Sequence, residues 1–429
     1  MSDDAAQRAS ATHQNQPRVG RACALLVLVL GVLTFALPAS AQSSLPYATN
    51  GLLIGEGRLH AYFGIESRFD SAAGFFTRDG GPAELQGELL WFLRPGLRFD
   101  LPGEMVKFSA GGHLEYVAYS GLVTRGSGSA NRLQAAADAS LTINENGPIS
   151  VALSDVFRRN DRTQNLAVGF GVLSLHNTAS IRVPIRPGGG ALEITPAGSF
   201  AIEYLTPLAE AEALTGCTDP SCDPDQVAQF NTQTIGASLD ARWSFLPRTA
   251  LILNGGFQQT RYPEGATPAT SLLNGTLGIA GQLTQRLAVV ANVGWSQNLG
   301  ELGGGTVIGM GELRFPPTPG SQIAVGYQRR LQAVALYGTA RNDRVYVRAD
   351  ARIREKLIVG VEGAYNWLAF EGGARSDGSF TGAVNADYEV LPWFLVGVGY
   401  RLESRDSSST ASSLNLTRHE VMLNLTVRY

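Results

Sequence analysis

Charge, cysteine and long apolar runs are all scarce in this chain of 429 residues. Charged side chains make up 17% of it, where a typical soluble protein carries about 25%. Mean hydropathy is nevertheless zero, and after residue 41 no apolar run approaches the roughly 20 residues of a spanning helix. The first deficit argues against two or three ordinary soluble domains, and the second against a helical membrane protein. A net charge of −3 lacks the basic excess of a nucleic-acid partner. Cysteine is limited to Cys23, near the start, and one local pair, Cys217 and Cys222. Glycine, by contrast, is abundant, at 50 residues, well above the usual share of about 7%. A membrane β-barrel accounts for this balance, because its strands alternate lipid-facing apolar residues with lumen-facing polar ones and average to neutral hydropathy.

The N-terminus reads as an export leader. Arg18 and Arg21 precede an apolar stretch from Ala22 to Leu37, and Ala39-Ser40-Ala41 supplies the small residues of a signal-peptidase site. Cleavage after Ala41 divides the chain into a signal peptide (1–41), a periplasmic segment (42–57) and a barrel (58–429).

The mature region repeats one pattern, an alternating run followed by a short turn or a longer polar loop. Apolar residues in the last run fall at Val421, Leu423, Leu425, Val427 and Tyr429. A terminal aromatic residue after such alternation resembles the insertion signal by which the barrel-assembly machinery recognises outer-membrane barrels. Leu59, Ala61, Phe63 and Ile65 alternate with polar neighbours in the same way, as do Val345, Val347, Ala349, Ala351 and Ile353. Short Pro, Gly and Asn turns are expected near 102–104, 145–148, 187–190, 246–248, 284–285, 316–320, 354–356 and 391–392. Longer loops are expected near 71–84, 120–131, 157–173, 206–230, 261–271, 299–305, 331–341, 371–378 and 404–415. These connections predict an all-β fold, an antiparallel up-and-down transmembrane barrel of about 18 strands with both termini in the periplasm. Closure follows because open edges in lipid would leave backbone groups unpaired. A lumen of this width holds water unless something fills it, and 206–230 is the longest loop that could fold inward.

The parity opposite to the lipid face places Arg58, Arg68, Arg94, Arg98, Lys107, Arg132, Arg242, Arg314, Arg348, Arg352 and Arg401 on the pore lining. Arg182, Arg186, Arg330, Arg344, Arg405, Arg418 and Arg428 share that parity. The acids expected there are Glu66, Glu115, Asp138, Glu193, Glu203, Asp240, Glu312, Asp350, Glu362, Asp387, Glu389, Glu403 and Glu420, which leaves a modestly basic lumen and acidic loops. Such a lumen would concentrate anions. The other reading is a wall of paired charges that simply keeps a wide barrel wet. Lys107 and Lys356 are the chain's lysines and every other basic side chain is arginine, which points to coding bias.

No nucleophile or metal motif surrounds His60, His113, His176 or His419. His113 near Glu115 is the one pair worth weighing for a barrel hydrolase, and a polar lumen lining without catalysis explains it better. The sequence therefore predicts no catalytic residue, cofactor or metal. Cys217 and Cys222 flank an Asp-Pro turn and are expected to form a disulfide in an oxidising compartment. Metal binding with Asp219, Asp223 and Asp225 is the weaker reading.

Three segments carry a family resemblance: Pro95-Gly96-Leu97-Arg98-Phe99-Asp100-Leu101-Pro102-Gly103, Arg186-Pro187-Gly188-Gly189-Gly190-Ala191-Leu192-Glu193 and Arg418-His419-Glu420-Val421. They resemble the turns and strands of an outer-membrane β-barrel family. In size and strand number the chain is similar to the eighteen-stranded barrels of Wzx/Wzy-dependent polysaccharide secretion. That resemblance implies an outer-membrane conduit for a polysaccharide (exopolysaccharide or capsule) chain, acting with a short periplasmic OPX-type export protein. The alternative is a general diffusion porin for small solutes, anionic ones included. Both readings place the chain in the outer membrane of a Gram-negative bacterium, in contact with outer-membrane lipid, with no nucleic acid as partner.

Overall fold

The computed structural model describes residues 51–77, 83–121, 131–161, 172–207, 227–265, 267–300, 303–335, 337–371, 375–408 and 415–429. The leader, Cys217 and Cys222 lie outside these residues. So do Asp219, Asp223 and Asp225.

Nearly every described residue is in a strand or a tight turn. The first half of the chain contributes β1 (Leu52–Ile54), β2 (Gly57–Thr77), β3 (Ala83–Pro102), β4 (Val106–Tyr119), β5 (Arg132–Ile143), β6 (Val151–Asn160), β7 (Val172–Arg182), β8 (Leu192–Pro207) and β9 (Thr232–Leu246). The second half adds β10 (Thr249–Arg261), β11 (Thr270–Gln282), β12 (Ala288–Asn298), β13 (Gly305–Phe315), β14 (Ser321–Val334), β15 (Gly338–Ile353), β16 (Leu357–Phe370), β17 (Ser376–Leu391), β18 (Phe394–Ser407) and β19 (Leu416–Arg428). Each strand from β2 onward pairs antiparallel with the next, and β19 returns to β2 through Glu420↔Asp70 to Arg428↔Tyr62. The result is a closed up-and-down barrel of 18 strands. The short β1 pairs with the foot of β2 below the C-terminus, where the Tyr429 N–H donates to the Ala61 carbonyl at 2.9 Å. Strands spaced about 4.8 Å apart and tilted about 40° give an 18-stranded wall about 35 Å across.

Directly paired residues on neighbouring strands face the same side, so the register carries one inner face around the whole ring. The outer face is apolar: Leu93, Leu114, Leu239, Leu253, Leu277, Val293, Val325, Val398 and Leu423 are all exposed. Aromatic residues gather on it in two bands. Trp243, Phe245, Phe315, Trp393 and Tyr429 mark the turn end, and Trp91, Tyr116, Trp295, Tyr327, Trp367 and Tyr400 the loop end. Aromatic girdles of this kind flank the apolar belt of a membrane barrel. No described helix is long and apolar enough to cross a membrane.

The predicted connections correspond to the observed ones with four corrections. Strand β2 continues to Thr77, beyond the loop expected from 71, β6 to Asn160, beyond the loop expected from 157, and β18 to Ser407, beyond the loop expected from 404. The connection expected at 331–341 is a tight hairpin in which Val334 pairs with Gly338. At the turn after β15, Arg354 and Glu355 both adopt left-handed backbone, with φ of 49° and 63°, a conformation that costs a side-chain-bearing residue roughly 1–2 kcal/mol.

Candidate functional site: the lumen wall

All eleven pore-lining candidates fall on the inner face by register. They do not form one cluster, because they are spread around the ring and along its height. Most have anionic partners. Glu66 on β2 accepts from Arg68 on its own strand and Arg94 on β3, each at 2.6 Å. Arg94 also contacts Glu115 on β4, and Arg68 reaches Glu420 on β19 at 3.4 Å. Across the closing seam, Arg418 grips Asp70, with Nε 3.0 Å from each carboxylate oxygen. Arg401 on β18 lies 3.9 Å from Glu420. This network stitches β18, β19, β2, β3 and β4, and Asp70 and Glu420 within it are fully buried.

Arg132 pairs with Asp161 at 2.7 Å and lies over the Tyr119 ring. Towards the turn end the contacts loosen: Arg98 is 3.2 Å from Asp100 and 3.8 Å from Asp138, with side chains a third or more exposed. Lys107 meets Glu145, Arg314 meets Glu312, and Arg348 lies 3.6 Å from Glu362. Arg58 stands opposite Asp100, Arg242 opposite Glu193 and Arg352 opposite Ile358.

Simple alternation missed several inner-face charges. Asp70, Glu88, Asp100 and Asp377 belong to the inner face, as does Arg158. The added acids bring the wall close to charge balance, in place of the modestly basic lumen expected from sequence. Asp377 escaped notice because it lies in the stretch 371–378 that reads as polar loop, and Asp70 and Glu88 because they flank the loop expected at 71–84. Asp377 is also buried, held by Arg375 at 2.6 Å and Arg405 at 2.7 Å.

The opposite side of the ring has a different character. Strands β10, β11 and β12 present no charged side chain on the inner face. In register they offer Asn254 beside Thr276, Gly256 beside Asn274, Gln258 beside Leu272 and Asn274 beside Ser296. In an 18-membered ring β11 lies nine strands from β2. A hydroxyl and carboxamide wall therefore faces the densest part of the ion-pair network across the lumen.

Two tyrosines lie flat along the inner wall over glycine. Tyr62 covers Gly96 and Tyr346 covers Gly326, where a Cβ would collide with the ring in each case. This arrangement packs an aromatic side chain on a strand position that has none of its own. It also aims the hydroxyls: Tyr62 reaches His113 Nδ1 at 3.3 Å and Tyr346 donates to Glu312. Beside Tyr62, the small residues Gly111, Gly112 and Ala136 open a recess of about 330 Å³ bordered by Arg98, His113, Asp138 and Arg158. Among the described residues no group of three or more His, Cys, Asp or Glu is placed to hold a metal.

The loop end narrows the lumen. Val227 and Phe230, at the described end of the longest loop, bury against inner-face residues Val172, Leu205 and Tyr262 and against Ala335. Asn231 fixes that segment by accepting from the Leu205 N–H at 2.8 Å. Burial there pushes the Tyr262 phenol up to about 12. Ala335 belongs to the β14–β15 hairpin, whose tip leans over the shorter β12 and β13, so that Thr270 on β11 donates to the Gly338 carbonyl at 3.3 Å. Two further apolar clusters line the same level, one around Leu90, Phe92 and Val117 and the other around Leu368 and Phe370. Such residues are ordinary for a packed core and unusual for a wet wall. Alternation could not reveal this, because it assigns every inner position to water.

Residues 296–429 match the family described as "Putative beta-barrel porin 2". No curated protein matches the chain. Among solved structures the chain is similar to OccAB3 of Acinetobacter baumannii, at 11% identity and TM-score 0.45, with 88% of this chain and 100% of that chain covered. It is similar to the ferric enterobactin receptor PfeA of Pseudomonas aeruginosa, at 9% identity and TM-score 0.47, covering 86% and 80%. It is also similar to the outer membrane protein OpdK of Pseudomonas aeruginosa, at 14% identity and TM-score 0.42, covering 86% and 98%.

Proposed function

We propose that this protein is an outer-membrane channel through which small hydrophilic solutes diffuse, with its turns in the periplasm and its loops outside. The observation that carries this reading is the polar inner face, continuous from the turn end to the narrowed loop end on a wall about 35 Å across. The near balance of Arg, Glu and Asp supports weak ion selectivity, less than the anion preference the sequence suggested. The narrow outer mouth becomes the size filter. Purified protein in planar bilayers should show conductance that rises with salt and a reversal potential close to zero in a salt gradient. A bilayer that stays non-conducting would overturn the proposal.

A second reading has its own support. The uncharged wall of β10–β12 offers hydroxyl and carboxamide groups at successive levels, the kind of surface along which sugar hydroxyls exchange hydrogen bonds without a strong trap. That wall suits export of a polysaccharide chain delivered by a periplasmic OPX-type protein. Deleting the gene would then remove surface polymer and leave small-solute uptake unchanged. Unchanged polymer would sink this reading.

A further inference from the structure

Positive charge on the outer face is confined to one end of the barrel. Among the described strand residues the outward arginines are Arg159, Arg261, Arg329 and Arg341, and all of them stand at the loop end. No outward arginine or lysine stands at the turn end of a described strand. The isolated polar groups of this face are settled within the barrel. Arg159 donates to the Leu133 carbonyl at 2.7 Å, Arg261 to Gln259 Oε1 at 3.0 Å, and Asp155 on β6 accepts from Asn177 on β7 at 3.0 Å.

The pair on the β14–β15 hairpin is different. Asp343 Oδ1 accepts from Arg329 Nε and from the Tyr327 hydroxyl, each at 2.5 Å, and Arg341 Nε lies 3.1 Å from Oδ2. One carboxylate thus anchors two guanidiniums, each by the nitrogen nearest its own backbone. The Asp343 side chain is largely covered, at 12% exposed, against 35% for Arg329 and 46% for Arg341. Two positive charges meet one negative, and among the described residues the terminal nitrogens of both arginines make no hydrogen bond. In register Arg329 adjoins Gly309 and Arg341 adjoins Ala369, so those rungs put no long side chain over either head.

Depth narrows the choice of ligand. Tyr327 lies two positions below Arg329, about 7 Å along the strand, and Trp367 stands directly across from Asp343. Both belong to the loop-end aromatic band, which marks the boundary between hydrocarbon and headgroups. We infer that Arg329 and Arg341 bind the phosphate of an outer-leaflet lipid headgroup. A phosphate takes paired N–H bonds from guanidinium edges and brings the negative charge that the cluster lacks. Acyl chains lying along the apolar belt below hold it at this level, and basic clusters at a membrane surface select anionic lipid in the same way. Asp343 positions the two arginines. The inference rests on the loops facing outward and not on conductance.

The test uses the purified full chain in detergent, with lipid A, a phosphorylated glycolipid, and its dephosphorylated form as probes and native mass spectrometry as the readout. The protein should retain lipid A roughly tenfold better than the dephosphorylated form. Arg329→Gln with Arg341→Gln should erase that preference, Arg261→Gln should keep it, and equimolar inorganic phosphate should not displace the lipid. Folding is verified by heat-modifiable migration, and if the double variant does not fold, Arg341→Gln alone is read in the same way. Equal retention of both lipids, a preference that survives the double variant, equal loss in Arg261→Gln, or displacement by equimolar phosphate, which would mark a site for a free anion, would each overturn the inference. Phosphate-selective retention by a protein that never conducts would sink the channel reading and leave this inference standing.

Discussion

The Arg418–Asp70 clamp across the closing seam is the contact whose loss should be felt most. Asp70 is fully buried and Arg418 nearly so, and two of their hydrogen bonds measure 3.0 Å. Arg418→Ala would leave the Asp70 carboxylate buried without its cation and take the same cation, 3.7 Å away, from the buried Glu420. Removing one member of a buried pair costs about 3–5 kcal/mol, or roughly 150- to 5,000-fold in the folding equilibrium at 1.36 kcal/mol per tenfold. Urea unfolding in phospholipid vesicles, followed by tryptophan fluorescence, reads this as a lower midpoint at constant slope. Arg418→Met combined with Asp70→Leu should recover more than half the loss, since apolar replacement of both members is often close to neutral. An effect under about 1 kcal/mol, the size expected of an exposed ion pair, would refute the reasoning. So would a double variant as unstable as the single one.

Other outcomes follow from the same wall. Phe230→Ala should loosen the packing of the 227–231 segment on Leu205 and Tyr262 and raise single-channel conductance, with the barrel still heat-modifiable on gels. Asn274→Asp with Asn292→Asp places two carboxylates on the uncharged wall and should shift the reversal potential towards cation preference, most clearly at low salt where screening is weakest. Glu355→Gly relieves one left-handed turn residue and should stabilise the barrel by about 1 kcal/mol, measured by the same urea unfolding. Removing Tyr429 should lower assembled barrel in outer-membrane fractions without changing the conductance of the molecules that do assemble.

Much of this architecture is legible in the sequence for a simple reason: a strand that separates lipid from water must alternate, and alternation survives in single residues. From Val421 to Tyr429, or Val345 to Ile353, the period of two gives both the strand and the side it shows to the pore. Turns such as Pro316 to Gly320 are equally clear because tight reversals restrict residue type. Legibility fails where a residue serves neither lipid nor water. Asp70 and Glu88 border an expected loop, and only the register places them, buried, on the inner face. Leu205 and Phe370 are apolar on the water-facing parity because loop-end segments pack over them, a tertiary contact with no local signature. Asp155 breaks the pattern on the other face, and only the register with Asn177 shows that its polar partner lies on the next strand.

The central claim is an aqueous lumen, polar along its length and narrowest at the loop end. It is tested most directly by single-channel recording of the purified full chain beside a variant lacking residues 335–337, at the tip of the β14–β15 hairpin. The account predicts conductance from both, with small selectivity and a clearly larger unitary step in the shortened variant. Equal steps would contradict the position of the constriction. Silence from both would contradict the channel itself.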